Sequence, residues 1–121
     1  MATGGERLVG ITVLKVGGAE LQEGQALDGL LEQLERLARQ GKLVVVHGGG
    51  AEIADLQQKL GLQACFVDGL RVTDGDSLRV AQMVLSGLVN KRLTARLVDR
   101  GIRALGLSGV DGGLLRARRL Q

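Results

Sequence analysis

Aromatic residues are almost missing from this chain: in 121 residues there is no tryptophan, no tyrosine and a single phenylalanine, Phe66. Proteins grip single-stranded nucleic acid by stacking bases on aromatic rings, and one ring offers no such platform. The net charge of +3 and the isoelectric point near 9.6 do not restore that reading, because the basic residues are spread along helical stretches. Only the final LRARRLQ gathers them, with Arg116, Arg118 and Arg119. A modest attraction to phosphate is what the charge leaves. One cysteine, Cys65, excludes an internal disulfide framework and a cysteine metal cluster; between Ala64 and Phe66 it reads as a small buried hydrophobe. No apolar run approaches the roughly 18 to 20 residues needed to cross a bilayer, and MATGGERL has no signal-peptide core. The expected location is therefore the cytoplasm, with neither membrane nor nucleic acid as partner.

What the sequence has in quantity is glycine, 20 residues of it. With 45% hydrophobic and 24% charged residues, the chain is expected to form one globular domain with a real core. VGITVLKV, residues 9–16, is apolar and β-branched and stops at Gly17-Gly18, as a buried strand feeding a turn does. From Gln25 to Gln40, Leu27, Leu30, Leu31, Leu34, Leu37 and Ala38 mark one helix face, with Gly41 as the stop. LVVV at 43–46 predicts a second strand, too uniformly apolar for a wet face. Ile53, Leu56 and Leu60 mark a short helix ending at Gly61. FVDGLRVTD, residues 66–74, predicts an extended or hairpin insert around Asp68-Gly69. Thr73 with Asp76 fits a capping box that opens a long helix to Gly101, with Gly87 as a bend. IRALGL, residues 102–107, predicts a third strand, and SGVDGG a loop. The order of elements predicts an α/β domain with a mainly parallel sheet sandwiched by helices.

The first two predicted strands both end in glycines: Gly17-Gly18 and, in LVVVHGGGAE, Gly48-Gly49-Gly50. Ligands of open α/β sheets bind beyond the carboxyl ends of the strands. A helix N-terminus behind the triplet favours phosphate or carboxylate. HGGGAEIADLQQ, however, lacks the Gly-Lys-Ser/Thr ending of a P-loop, and Ile53 occupies the third glycine position of G-x-G-x-x-G. The glycines alone leave a tight turn and an anion site equally open. Lys15, inside VLKVGG, adds weight to the second: an ammonium in an apolar strand is either a snorkelling cation or one aimed at an anion held by both turns. Phosphoryl transfer needs such a cation, because its transition state loads charge onto the equatorial oxygens.

LKVGG, VVVHGGGAEI, FVDGLRVTD, SGLVNKRL and ALGLSGVDGG, in this order and spacing, resemble the N-terminal half of the acetylglutamate kinases of the amino acid kinase family, and the resemblance runs from residue 9 onward. It implies that the chain is the N-terminal, acetylglutamate-binding lobe of the amino acid kinase fold. By the same resemblance, Lys15 stabilises the transferring phosphoryl group, and Gly17, Gly18 and Gly50 lie against phosphate. Gly48 and Gly49 line the N-acetyl-L-glutamate site, and Arg71 pairs with a substrate carboxylate. The implied reaction moves the γ-phosphoryl of MgATP to the side-chain carboxylate of N-acetyl-L-glutamate, a step of arginine biosynthesis, with no Mg²⁺ ligand identifiable in these residues. A carboxylate nucleophile needs no base, so His47 reads as a hydrogen-bonding group. Asp76 reads as a cap, Asp74 and Asp111 as turn residues, and Asn90 and Lys91 carry no assigned chemistry.

Family members have a second half that supplies the adenine pocket, a second lysine, an organising aspartate and an asparagine at the substrate; these 121 residues stop before them. They are therefore expected to be a poor kinase alone, whether as a truncated reading frame, an excised domain or a fragment that needs a separate C-terminal half as partner, and to pair as a homodimer through the long helix. Two alternatives stand beside this reading. One is a kinase for aminoadipate or glutamate on an acidic carrier protein; the other is a non-catalytic module that binds acetylglutamate or dimerises.

Overall fold

A computed structural model describes residues 10–63 and 65–118, with the side chains of residues 70–72 left aside. Val9, Ala64 and Arg119, which entered the sequence reading, lie outside the described residues. Strand β1 (Ile11–Val16) leads through a 3₁₀ turn at Ala19–Leu21 into helix α1 (Gln25–Gln40) and strand β2 (Lys42–His47). Helix α2 (Gly50–Lys59) follows, then the strands β3 (Cys65–Val67) and β4 (Leu70–Val72). A long helical rod completes the core: α3 (Gly75–Gln82), a π-helical stretch Met83–Val89 and α4 (Asn90–Asp99).

β1 and β2 are parallel, in the register Ile11↔Lys42 to Val16↔His47, so both strands reach their carboxyl ends level with each other. α1 makes the crossover between them. Its buried residues, Leu27, Leu31 and Leu34, lie on the face predicted from spacing. They meet Val16, Leu21, Ile53, Val80, Val84, Val89, Leu93 and Leu97 in one core, with Leu14, Leu43 and Val45 packed against it. The glycine stops act as expected at Gly61 (φ +69) and Gly101 (φ +77). At Gly101 the amides of Gly101 and Ile102 donate to Val98 and Leu97 carbonyls, and at Gly61 those of Gly61 and Leu62 donate to Gln58 and Gln57, the paired bonds of a left-handed helix end. The insert is an antiparallel hairpin whose turn residues, Asp68 (φ 51) and Gly69 (φ 75), both have the positive φ of a type I′ turn.

Five sequence expectations are corrected. First, residues 102–107 form no strand ladder: Asn90 Nδ2 and Lys91 Nζ donate to the Leu107 and Gly106 carbonyls, so helix side chains take bonds that a neighbouring strand would make. Second, the parallel pair has a wet face. Ile11, Val13, Lys15, Lys42, Val44 and Val46 project away from the core, and Val13 is 66% and Val46 50% exposed. Burial therefore sets no cost for Lys15, which stands on this open face at the end of β1. Third, the cap of α3 is Asp74 and not Thr73 with Asp76: Asp74 Oδ1 accepts the Ser77 amide at 2.7 Å. Fourth, Cys65 is exposed, because its short strand pairs with β4 alone. Fifth, the long helix is not α-helical throughout, since seven residues around Gly87 widen into π turns.

Three carboxylates are held below their ordinary range. At Glu35 the cause is first the hydrogen bond from Arg39 and then that from Arg100, which together tie the end of α1 to the end of α4. At Asp74 it is the Ser77 amide, and at Asp111 the Ser108 amide, each reinforced by the same serine's hydroxyl. A depressed folded-state pKa favours the fold above the unfolded value, and that contribution fades as pH falls through the folded one.

Candidate active site

Level strand ends place the two glycine turns side by side. A β-carbon on Gly18 would stand 3.7 Å from the Gly50 nitrogen and 3.8 Å from Gly49 Cα, so a single added carbon would bring the two turns into van der Waals contact. Gly18 starts the 3₁₀ turn, whose Leu21 amide donates back to the Gly18 carbonyl at 3.2 Å. Gly49 is the N-cap of α2, and its carbonyl accepts the Ile53 amide at 3.0 Å. The first α2 amides have no acceptor within the helix, and this N-terminus follows closely on the end of β2, where an anion gains from both donors and dipole. Lys15 stands on the exposed face of β1, two residues before Gly17.

Gly49 and Gly50 differ in surroundings. Gly49 is buried beneath the rod, where a β-carbon would lie 2.9 Å from Leu85 Cδ2 and 3.1 Å from Val89 Cγ2, whereas Gly50 is exposed with open space around it. Packing alone thus requires glycine at 49, and it does not at Gly48 or Gly50. Glu20, an exposed side chain, folds over Gly17, with Oε2 2.7 Å from where a β-carbon would stand. Arg71 lies on β4, where its backbone pairs with Phe66; its side chain is outside the described residues.

His47 ends β2 with both ring nitrogens engaged: Nδ1 with the Gly48 carbonyl at 2.9 Å and Nε2 with Asn90 Nδ2 at 3.2 Å. The amide can only donate, which assigns the proton to Nδ1 and the lone pair to Nε2. A histidine so occupied holds the Gly48 carbonyl in place and has no nitrogen free for proton transfer. Its partner Asn90, buried, also donates to Leu107 and accepts from Lys91 at 3.2 Å. The sequence assigns Asn90 no chemistry, although an amide on the apolar 90–93–97 stripe of a helix needs buried partners and is a signal in itself. A hollow of about 700 Å³, lined by Val98, Gly101, Ile102, Arg103, Ala104 and Leu105, includes none of the predicted site residues. No group of three acid, imidazole or thiol side chains suited to a metal ion occurs among the described residues, and none of their helices is long and apolar enough to cross a membrane.

Residues 10–120 match the Amino acid kinase family. The chain belongs to the amino acid kinase family. An acetylglutamate kinase of Methanopyrus kandleri is 52% identical over 108 residues, covering 88% of this chain and 40% of that protein. One from Chloroflexus aurantiacus is 49% identical over 106 residues, covering 88% and 41%. The chain thus spans about two fifths of the length of these curated relatives. Among solved structures, the N-acetylglutamate synthase of Neisseria gonorrhoeae, complexed with coenzyme A and N-acetyl-glutamate, superposes with a TM-score of 0.60 at 34% identity, over 73% of this chain and 20% of that one. An α/β amino acid kinase fold with a parallel sheet is therefore shown, and kinase chemistry is the family's activity.

Proposed function

We propose that this chain is the substrate lobe of an acetylglutamate kinase, in which N-acetyl-L-glutamate and the phosphates of MgATP meet at the two adjacent glycine turns. The observation that carries the reading is the close approach of Gly18 to Gly49-Gly50, near enough that one added carbon would meet them, at the level ends of two parallel strands. Gly48 and Gly49 face the substrate in this reading, and Gly17, Gly18 and Gly50 the phosphates. Arg71 holds a substrate carboxylate. Lys15 neutralises charge on the transferring phosphoryl group, whose loose transition state asks for electrostatic positioning more than for covalent help. The side-chain carboxylate attacks unaided, consistent with a His47 whose nitrogens are both occupied. Mg²⁺ arrives with the nucleotide as part of the substrate.

The apolar outer face of β1 and β2 is the surface this proposal assigns to the remainder of such a kinase, within one polypeptide or as a separate C-terminal half. A parallel sheet is ordinarily covered on both faces. A homodimer through the rod, where Leu78, Met83, Leu88 and Val98 are exposed, a place in arginine biosynthesis and a cytoplasmic location belong to the same proposal. The curated relatives favour acetylglutamate over a carrier-bound acceptor. Likeness to an N-acetylglutamate synthase supports a second reading, a lobe that holds acetylglutamate without phosphorylating it.

Hydroxylamine trapping of acyl phosphate discriminates between these divisions of labour. With MgATP and N-acetyl-L-glutamate, the purified 121 residues are expected to give only background hydroxamate. Turnover abolished by Lys15→Ala would show instead that these residues assemble a complete phosphoryl-transfer site.

A further inference from the structure

Arg92, on α4, sends one guanidinium nitrogen, Nη2, to two acceptors: the Leu21 carbonyl at 2.8 Å and Glu52 Oε1 at 2.9 Å. Leu21 closes the turn that starts at Gly18, and Glu52 lies in the first turn of α2, two residues after Gly50. The pair is largely shielded, with side-chain exposures of 21% and 15%. The second Glu52 oxygen, Oε2, is buried without a hydrogen-bond partner, 3.8 Å from where a Gly49 β-carbon would stand. A carboxylate so placed relies on its cation, because one left unpaired in a shielded site is strongly unfavourable. Neither strand joins the two turns at this level: the ladder of β1 and β2 ends at Val16 and His47.

We infer that Arg92 is a positioning residue that sets the spacing between the two glycine turns by holding both from behind, through the Leu21 carbonyl and through Glu52. A guanidinium suits this role, since its planar fork fixes direction as well as charge. The functional weight of the clamp rests on the proposed substrate site. The clamp itself is a property of the free protein and is tested without ligand.

Hydrogen exchange is followed at the amides of Leu21 and Ile53, which close the two turns, with Leu31 and Leu34 of α1 as references. Arg92→Met is expected to speed exchange about tenfold or more at both turns and to change the α1 amides less than about twofold. Glu52→Ala leaves the Leu21 bond intact and speeds Ile53 alone. The double variant Arg92→Met/Glu52→Gln removes the stranded charge, so it remains informative if Arg92→Met does not fold, and the same two amides are expected to loosen in it. Equal acceleration at turns and α1, or loosening of one turn only in the double variant, overturns the inference, whether or not the chain binds acetylglutamate. Selective loosening in a chain that binds no acetylglutamate would leave the clamp standing and remove the kinase-site reading.

Discussion

Gly106→Ala is expected to destabilise the protein by about 3 kcal/mol, the cost of forcing a methyl group into a filled space. A β-carbon on Gly106 would lie 2.6 Å from Thr94 Oγ1 and 3.1 Å from Asn90 Cγ, and would overlap Asn90 Oδ1 outright. None of these atoms yields cheaply. Thr94 Oγ1 donates to the Asn90 carbonyl at 2.8 Å, and Asn90 is buried between His47 and the Leu107 carbonyl. To admit the methyl group, either residues 102–107 must leave α4 or Asn90 must release His47. Urea denaturation measures the loss as a lower midpoint. Gly29→Ala is the control: it stands inside α1 with nothing within 4 Å of the new methyl group, so it is expected to stabilise by about 0.5 to 1 kcal/mol. A neutral Gly106→Ala would show that residues 102–107 do not pack on α4 as described.

Leu34→Ala has an effect of similar size from the opposite cause. Leu34 is 0% exposed and sits in the middle of the α1 face that covers the sheet. Its truncation removes apolar contact and leaves a cavity that the rod and sheet fill only partly, which costs about 3 kcal/mol. Domains of this size hold roughly 5 to 15 kcal/mol in all, so the variant is expected to stay folded in water with a clearly lower denaturation midpoint. Leu78→Ala, at a leucine 59% exposed on α3, is expected to shift stability by under about 0.5 kcal/mol. Equal losses from the two substitutions, in the same denaturation experiment, would contradict the assignment of the core.

Both substitutions probe features of different legibility. The face of α1 could be read directly, because a 3.6-residue period over sixteen residues has one solution and glycines stand at both ends. Asp68-Gly69 marked an extended or hairpin insert without deciding between them, and the structure settles on a hairpin whose two turn residues both have positive φ. Uniform apolarity in LVVV, by contrast, records that the residues favour a strand and not what covers each face, so the open side of β2 could not be seen. IRALGL has strand-like alternation, yet only one β-branched residue, and whether it joins a ladder depended on Asn90 and Lys91, fifteen residues and more away in the chain. The cap at Asp74 was missed by one position because Thr73 and Asp74 are both good caps and only the path of the backbone decides between them.

The site shows the same division. Glycines at both strand ends and a lysine before the first of them were visible as a pattern, and the parallel register explains why the two glycine turns lie level. Arg92 was not visible: nothing in NKRL distinguishes it from an exposed helix arginine until Leu21 and Glu52 are brought to it.

Calorimetric titration of the purified chain with N-acetyl-L-glutamate tests the central claim, that these residues form the substrate lobe of an acetylglutamate kinase, more directly than any other measurement. The account predicts saturable one-to-one binding that Arg71→Ala abolishes while the fold is retained. Absence of binding by the folded chain, or binding that Arg71→Ala leaves unchanged, would contradict it.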